Sequence, residues 1–236
     1  MAEAEDLKSF QSGFESQWGH VPAVELIQPI AVLKDPEALA THEDTCLAAA
    51  LASITAWLAF PDDPMWGPWL HGPDGRGGGQ GKSVRRGKPK DFRALENAGA
   101  VMVSVGTAQA AALAPTEYPL TGRMKQLQVS GTEFEHAGEP TVYGEMNSPK
   151  ILHIGIDTVL GMSTGKAAAQ SAHAGLTWAM RLSHDELEDW IEDGFPSTLI
   201  PLGRDGWRTT ATNATVVIRD AGHTEITPGS VTAVAW

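Results

Sequence analysis

Met162-Ser-Thr-Gly-Lys-Ala-Ala-Ala-Gln-Ser-Ala-His-Ala174 joins the short apolar run Ile151–Ile156 to an Ala-rich stretch that continues to Leu182. The apolar run predicts a strand, and the Ala, Gln and Leu content predicts a helix from about Lys166 to Leu182. Ser183-His-Asp-Glu186 carries a hydroxyl followed three residues later by a carboxylate, which opens a second helix to about Glu192, and Gly194 ends it. Ser197–Ile200, Thr215–Ile218 and Val231–Ala235 predict further strands. Residues 150–236 therefore predict a compact α/β domain, a mixed four-stranded sheet flanked by helices.

The turn Met162–Lys166 stands between strand and helix. Free backbone N–H groups and the positive end of the helix dipole favour a phosphate or a developing oxyanion there, and Lys166 adds a full charge. A solvated first-turn lysine is the bland alternative. The second segment of interest is Asp220-Ala-Gly-His-Thr-Glu-Ile-Thr-Pro-Gly229, a polar turn placed between two predicted strands.

Together these segments resemble the two signatures of the archaeal and eukaryotic type (type two) of peptidyl-tRNA hydrolase. The family's M-G-K-G-K-x-A-A-Q-x-x-H-A stands here as M-S-T-G-K-A-A-A-Q-S-A-H-A from Met162 to Ala174. Its D-A-G-R-T-Q-I-x-P-G-T-x-T stands as D-A-G-H-T-E-I-T-P-G-S-V-T from Asp220 to Thr232. The chain resembles an N-terminally extended, bacterial-like member. The resemblance implies hydrolysis of the ester between peptide and tRNA, with no cofactor and no metal. It places Lys166, Asp220, Thr224 and Thr232 at the catalytic positions and Gly165, Gln170, His173 and His223 at substrate-binding ones. Asp220 would accept a proton from water or orient it, and Lys166 would hold an oxyanion or the terminal phosphate.

Departures accompany the match. Thr164, His223 and Glu225 replace a Lys, an Arg and a Gln, which makes the substrate-facing edge less basic. Pro201–Asn213 looks too short for the helix that normally joins two strands here, since a parallel crossover takes about a dozen residues or more. Two other readings stay open: an impaired relative that binds tRNA or a protein, and an esterase acting on a different acyl group.

The N-terminal half, residues 1–130, reads as a second α/β region, followed by a polar linker over 131–149. Leu7, Phe10, Phe14 and Trp18 suit a short amphipathic helix, Val24–Leu33 a strand interrupted by Pro29, and Glu43–Leu58 a helix capped by Thr41 or Asp44. Trp57 and Trp69 have the same spacing as Trp178 and Trp190, each pair beginning at the end of an Ala-rich helix. Such an offset is what a tandem duplication would leave, with the first half a degenerate copy; chance recurrence is the competing reading. The copy would be dead: Thr45, Ala49 and Ala52 fall at Lys166, Gln170 and His173, and Gly106 and Ala110 at Asp220 and Thr224. Because members of the resembled family commonly pair, the expected assembly is a pseudo-dimer within one chain or a homodimer.

Charge is unevenly spread in a chain of net charge −12. Arg76, Lys82, Arg85, Arg86, Lys88, Lys90 and Arg93 are opposed only by Asp91 over that stretch. They read as a local phosphate-binding patch, with Arg85, Arg86, Lys88 and Lys90 as candidate tRNA contacts, or as a solvated loop and helix start. Trp66 and Trp69 beside it could pack a core or stack on a base. The acidic N-terminus lacks the order of a signal peptide and no apolar run reaches bilayer length, so the expectation is a cytoplasmic protein. Cys46, the single cysteine, reads as a buried small hydrophobe, and the eight histidines show no zinc-like spacing.

Overall fold

A computed structural model describes residues 25–71, 80–220 and 225–236; the amphipathic reading of the first 18 residues lies outside them. Strand β1 (Leu26–Leu33) leads to helix α1 (His42–Ala59), short helix α2 (Trp66–His71), β2 (Gly81–Gly87), α3 (Pro89–Asn97) and the hairpin β3 (Val101–Val105) and β4 (Ala108–Ala112). After β5 (Thr116–Glu117), α4 (Gly122–Gln126) and β6 (Thr141–Tyr143), a second series follows. It runs β7 (Leu152–Asp157), α5 (Thr164–Ala179), α6 (His184–Glu192), β8 (Ser197–Leu202), α7 (Arg204–Asn213), β9 (Val216–Arg219) and β10 (Val231–Ala235).

The two series trace one topology. The first sheet has the order β2-β1-β4-β3, the second β8-β7-β10-β9. In each, the opening strand pairs parallel to the next through a helical crossover and antiparallel to the last. β5 pairs β1 in one sheet, and β6 extends the other beyond β8, so each sheet has five strands rather than four. The chain is thus α/β, with two mixed sheets flanked by helices. The crossover helix expected to be lost is present as α7. Its ten residues rise about 15 Å, enough to reach β9 from β8.

Thr41 caps α1 by accepting the Asp44 N–H, and Ser163 caps α5 by accepting the Lys166 N–H. Small side chains, Ala48, Ala49, Ala50 and Ala52 on α1 and Ala167, Ala168, Ala172 and Ala174 on α5, are all fully buried. They let the two backbones approach closely. The helices run parallel with their starts together: His42 meets Thr164 at one end, while Ala50 and Ile54 meet Gly175 further along. A helix buried all round belongs between two layers, and one continuous core includes α1, α5 and residues of both sheets. α1 packs on β8 of the other half, and α5 packs on β2, a reciprocal arrangement.

The tryptophans repeat this pattern. Trp66 and Trp69 meet edge to face with ring centroids 5.6 Å apart, Trp178 and Trp190 at 5.3 Å. Trp69 donates its indole N–H to Gly81 O at 2.9 Å and Trp190 to Pro196 O at 3.0 Å, each at the start of the half's second strand. Trp66 and Trp69 are each only 1 % exposed, so they are core residues and present no face for a base. Cys46 is fully buried, and burial pushes its thiol well up. Among the described residues no helix is long and apolar enough to cross a membrane.

Candidate active site

Lys166 stands in the first turn of α5, and Asp220 follows the last residue of β9. The Asp220 N–H donates to Ser230 O at 2.9 Å, and the Gly229 N–H donates to Asp220 O at 2.8 Å, which fixes the neck of the β9–β10 loop. Lys166 Nζ lies 2.5 Å from Asp220 Oδ1, with the two side chains 12 % and 5 % exposed. That burial strengthens the pair relative to a surface ion pair. Asp220 Oδ2 is also buried and has no hydrogen-bond partner among the described residues. A carboxylate with one oxygen held by an ammonium and the other without a partner has an acceptor left for a proton from a water molecule that enters with the substrate.

One turn along α5, Gln170 Oε1 accepts the Thr232 hydroxyl at 2.8 Å, leaving the Gln170 amide N–H groups to donate. His173, another turn on, is half-buried. Its pKa is held well below the usual value by burial first, then by the charges of Lys82 and Lys166. It is therefore a neutral imidazole at neutral pH.

Curated proteins share sequence with this chain, two of them archaeal. The peptidyl-tRNA hydrolase of Methanocaldococcus jannaschii is 31% identical over 86 residues, which is 32% of this chain and 75% of the relative. The peptidyl-tRNA hydrolase of Metallosphaera sedula is 34% identical over 89 residues, 33% of this chain and 76% of the relative. The chain belongs to the peptidyl-tRNA hydrolase family. No family model matches it, and no solved structure does.

In this chain the fold brings Lys166 to Asp220 and Gln170 to Thr232, one turn apart on α5. His223 and Thr224 lie outside the described residues. The amides at the start of α5 are not free as the sequence reading expected. Ser163 N donates to Glu225 Oε1 at 2.8 Å, Gly165 N to Thr132 O at 3.1 Å and Lys166 N to Ser163 Oγ at 3.2 Å, while Thr164 N faces Glu133 Oε2 at 3.4 Å. A side chain at Gly165 would meet the Thr132 side chain at 3.2 Å. Thr132, Glu133 and Glu225 are thus parts of the site's frame. Only Glu225 left a trace in the sequence, as a departure within a signature.

The polar stretch 131–149 is not a bare tether. His42 N donates to Glu135 O at 2.8 Å, Ala137 N donates to Glu43 Oε2 at 2.8 Å, and β6 pairs with β8. These residues seat across the starts of both central helices.

The basic stretch divides in two. Arg85 donates to the carbonyls of Met124 and Leu127, both at 3.3 Å, and Arg86 donates to Ser130 O at 3.0 Å. These guanidinium groups hold the chain that leads to Thr132. Lys88 and Lys90 stay exposed. In the first half the helix caps place Asp44, not Thr45, at the position of Lys166, Thr45 being buried one residue further on, and a tight β3–β4 turn stands where the Asp220 loop is in the second. Ala110 lies within β4, not in a loop.

Proposed function

We propose that this hydrolase, a member of the archaeal and eukaryotic type with a structured N-terminal half, cleaves the ester between a peptide and tRNA in the cytoplasm. Asp220 Oδ2 takes a proton from water as the water oxygen bonds to the ester carbonyl carbon. Charge then develops on the carbonyl oxygen, where the Lys166 ammonium and the Gln170 amide stabilise it. Collapse of the tetrahedral species breaks the bond to the terminal ribose oxygen. Asp220 returns its proton to that oxygen and the new carboxylic acid loses its own to solvent, giving free tRNA and a peptide carboxylate. Thr232 orients Gln170. Thr224 and His223, carried by the family signature, complete the set, and Lys88 and Lys90 meet tRNA phosphates. Arg85 and Arg86 support that surface from within, and Gly165 keeps the helix start close to Thr132.

The observation that carries this reading is the Lys166–Asp220 pair with its unpartnered, buried Oδ2. It is tested with N-acetyl-aminoacyl-tRNA and the Asp220→Asn variant, which keeps shape and removes the base. A loss of kcat of about 100-fold or more is expected for a positioned general base. Undiminished turnover by that variant would refute the assignment.

We also propose that the two like halves take the place of a two-chain dimer. The reciprocal packing of α1 and α5 supports it.

A further inference from the structure

Lys166, Gln170, His173, Thr177 and Arg181 recur at intervals of three or four along α5 and just past its end, on a helix otherwise built largely from Ala. Such spacing places them on one stripe. The Lys166–Asp220 pair occupies its start. At its far end His173, Thr177 and Arg181 line a cavity of about 230 Å³, and Gln80 and Lys82 reach into the same cavity from the N-terminal half.

Its basic side chains are Lys82 and Arg181, set beside the neutral His173 and the apolar Leu176 and Met180, and the lining includes no carboxylate. Lys82 Nζ donates to Gln28 Oε1 at 2.6 Å and to Ser53 Oγ at 3.2 Å, and it sits 4.4 Å from the centre of the Trp69 ring. All three partners are neutral, and among the described residues no acid lies within ion-pair distance of it. Burial accordingly holds the Lys82 ammonium well below the usual lysine range. Arg181 donates one N–H to Thr215 O and keeps other donors for a ligand. A cavity of this kind gains most from an anion that accepts from Lys and Arg together.

We propose that the cavity seats a phosphodiester group of the substrate's single-stranded 3′ end, held between Lys82 and Arg181 while the ester lies at Lys166 and Asp220. The inference rests on the hydrolase reading above. Thr177 is about 16 Å along the helix from Lys166 at 1.5 Å per residue, a span that a few nucleotides cover. A blocked peptide need carry no anion, whereas every added nucleotide brings one.

The test compares wild type, Lys82→Met and Arg181→Met on three N-acetyl-aminoacyl esters: of full-length tRNA, of the trinucleotide CCA, and of adenosine, which has no phosphodiester. Each variant should lose 10-fold or more in kcat/KM on the first two and stay within twofold of wild type on the third. Added inorganic phosphate should inhibit CCA-ester hydrolysis competitively and leave adenosine-ester hydrolysis alone. Equal losses on all three esters would mean a structural role and overturn the subsite, as would no loss on any. Phosphate raising Tm while the substrate rates stay put would mark a free-anion site and overturn it too. A wild type inactive on all three esters would overturn the hydrolase reading and the subsite with it. Arg181 is exposed, so its variant reports even where Lys82→Met fails to fold.

Discussion

His42 Nδ1 lies 3.0 Å from Thr164 Oγ1, and this contact ties the start of α1 to the start of α5. Thr164 Oγ1 also accepts the Phe134 N–H at 3.0 Å, and a neutral imidazole serves this contact in either tautomer, accepting the hydroxyl proton or donating to the second lone pair. Burial, then the charge of His136, lower the His42 pKa to about 4, against an opposing pull from Glu43.

Stability should therefore depend on pH. Between pH 6.5 and about 4 the unfolded chain protonates His42 and the folded chain does not, so stability falls as pH falls through that window and levels below it. The His42 share is about 3 kcal/mol, from about 1.4 kcal/mol per pKa unit. His173 adds a contribution of the same sign. Urea denaturation from pH 7.5 to 4 should show the slope, reduced in His42→Asn. An unchanged slope in that variant would count against a neutral buried His42.

Gly175 of α5 packs directly against α1. An added Cβ would stand 3.3 Å from Ile54 Cδ1, 3.4 Å from Ile154 Cδ1 and 3.5 Å from Ala50 Cβ. Gly175→Val should destabilise by about 2 kcal/mol through overpacking. Because the core is continuous across both sheets, unfolding should remain one transition by fluorescence and circular dichroism. Two separated transitions would show that the halves do not share a core.

Removing one partner of the Lys166–Asp220 pair leaves the other charged in a buried setting. Lys166→Met should cost about 3 kcal/mol, and the double variant Lys166→Met/Asp220→Leu should recover most of it, measured as a double-mutant cycle in urea. Both forms should be inactive. Equal stability of the single and double variants would indicate that solvent already screens the pair.

Reciprocal packing of α1 and α5 predicts a monomer, since the face a like subunit would cover is covered from within. Light scattering across a 100-fold concentration range should return one chain's mass, 25.1 kDa. A dimer mass would send the pairing surface elsewhere.

Much of the second half was legible in the sequence because its signals are local. The Ser183 capping box, the Ala-rich helix and the Lys166, Gln170 and Asp220 signatures all announce themselves within a few residues. The α7 crossover was missed because Arg204–Asn213 has no apolar stripe and no buried residue, so hydrophobic periodicity could not reveal it. The 131–149 stretch looked like a tether because its fixing contacts are backbone carbonyls and the distant Glu43. Arg85 and Arg86 looked like phosphate ligands because composition does not show that the chain's own carbonyls already occupy them. The matching topology is marked in the sequence only by the Trp spacing, because a tight β3–β4 turn stands where the second half has the β9–β10 loop and no signature residues accompany it.

The shared core also governs how this enzyme responds to dilution. Two subunits on separate chains come apart as concentration drops below their dissociation constant. Here the two like halves are joined on one chain by a short structured segment, so the effective concentration of each for the other is set by geometry and not by how much protein is present. On the proposed hydrolase reading, activity per molecule should stay constant down to the lowest concentrations assayed.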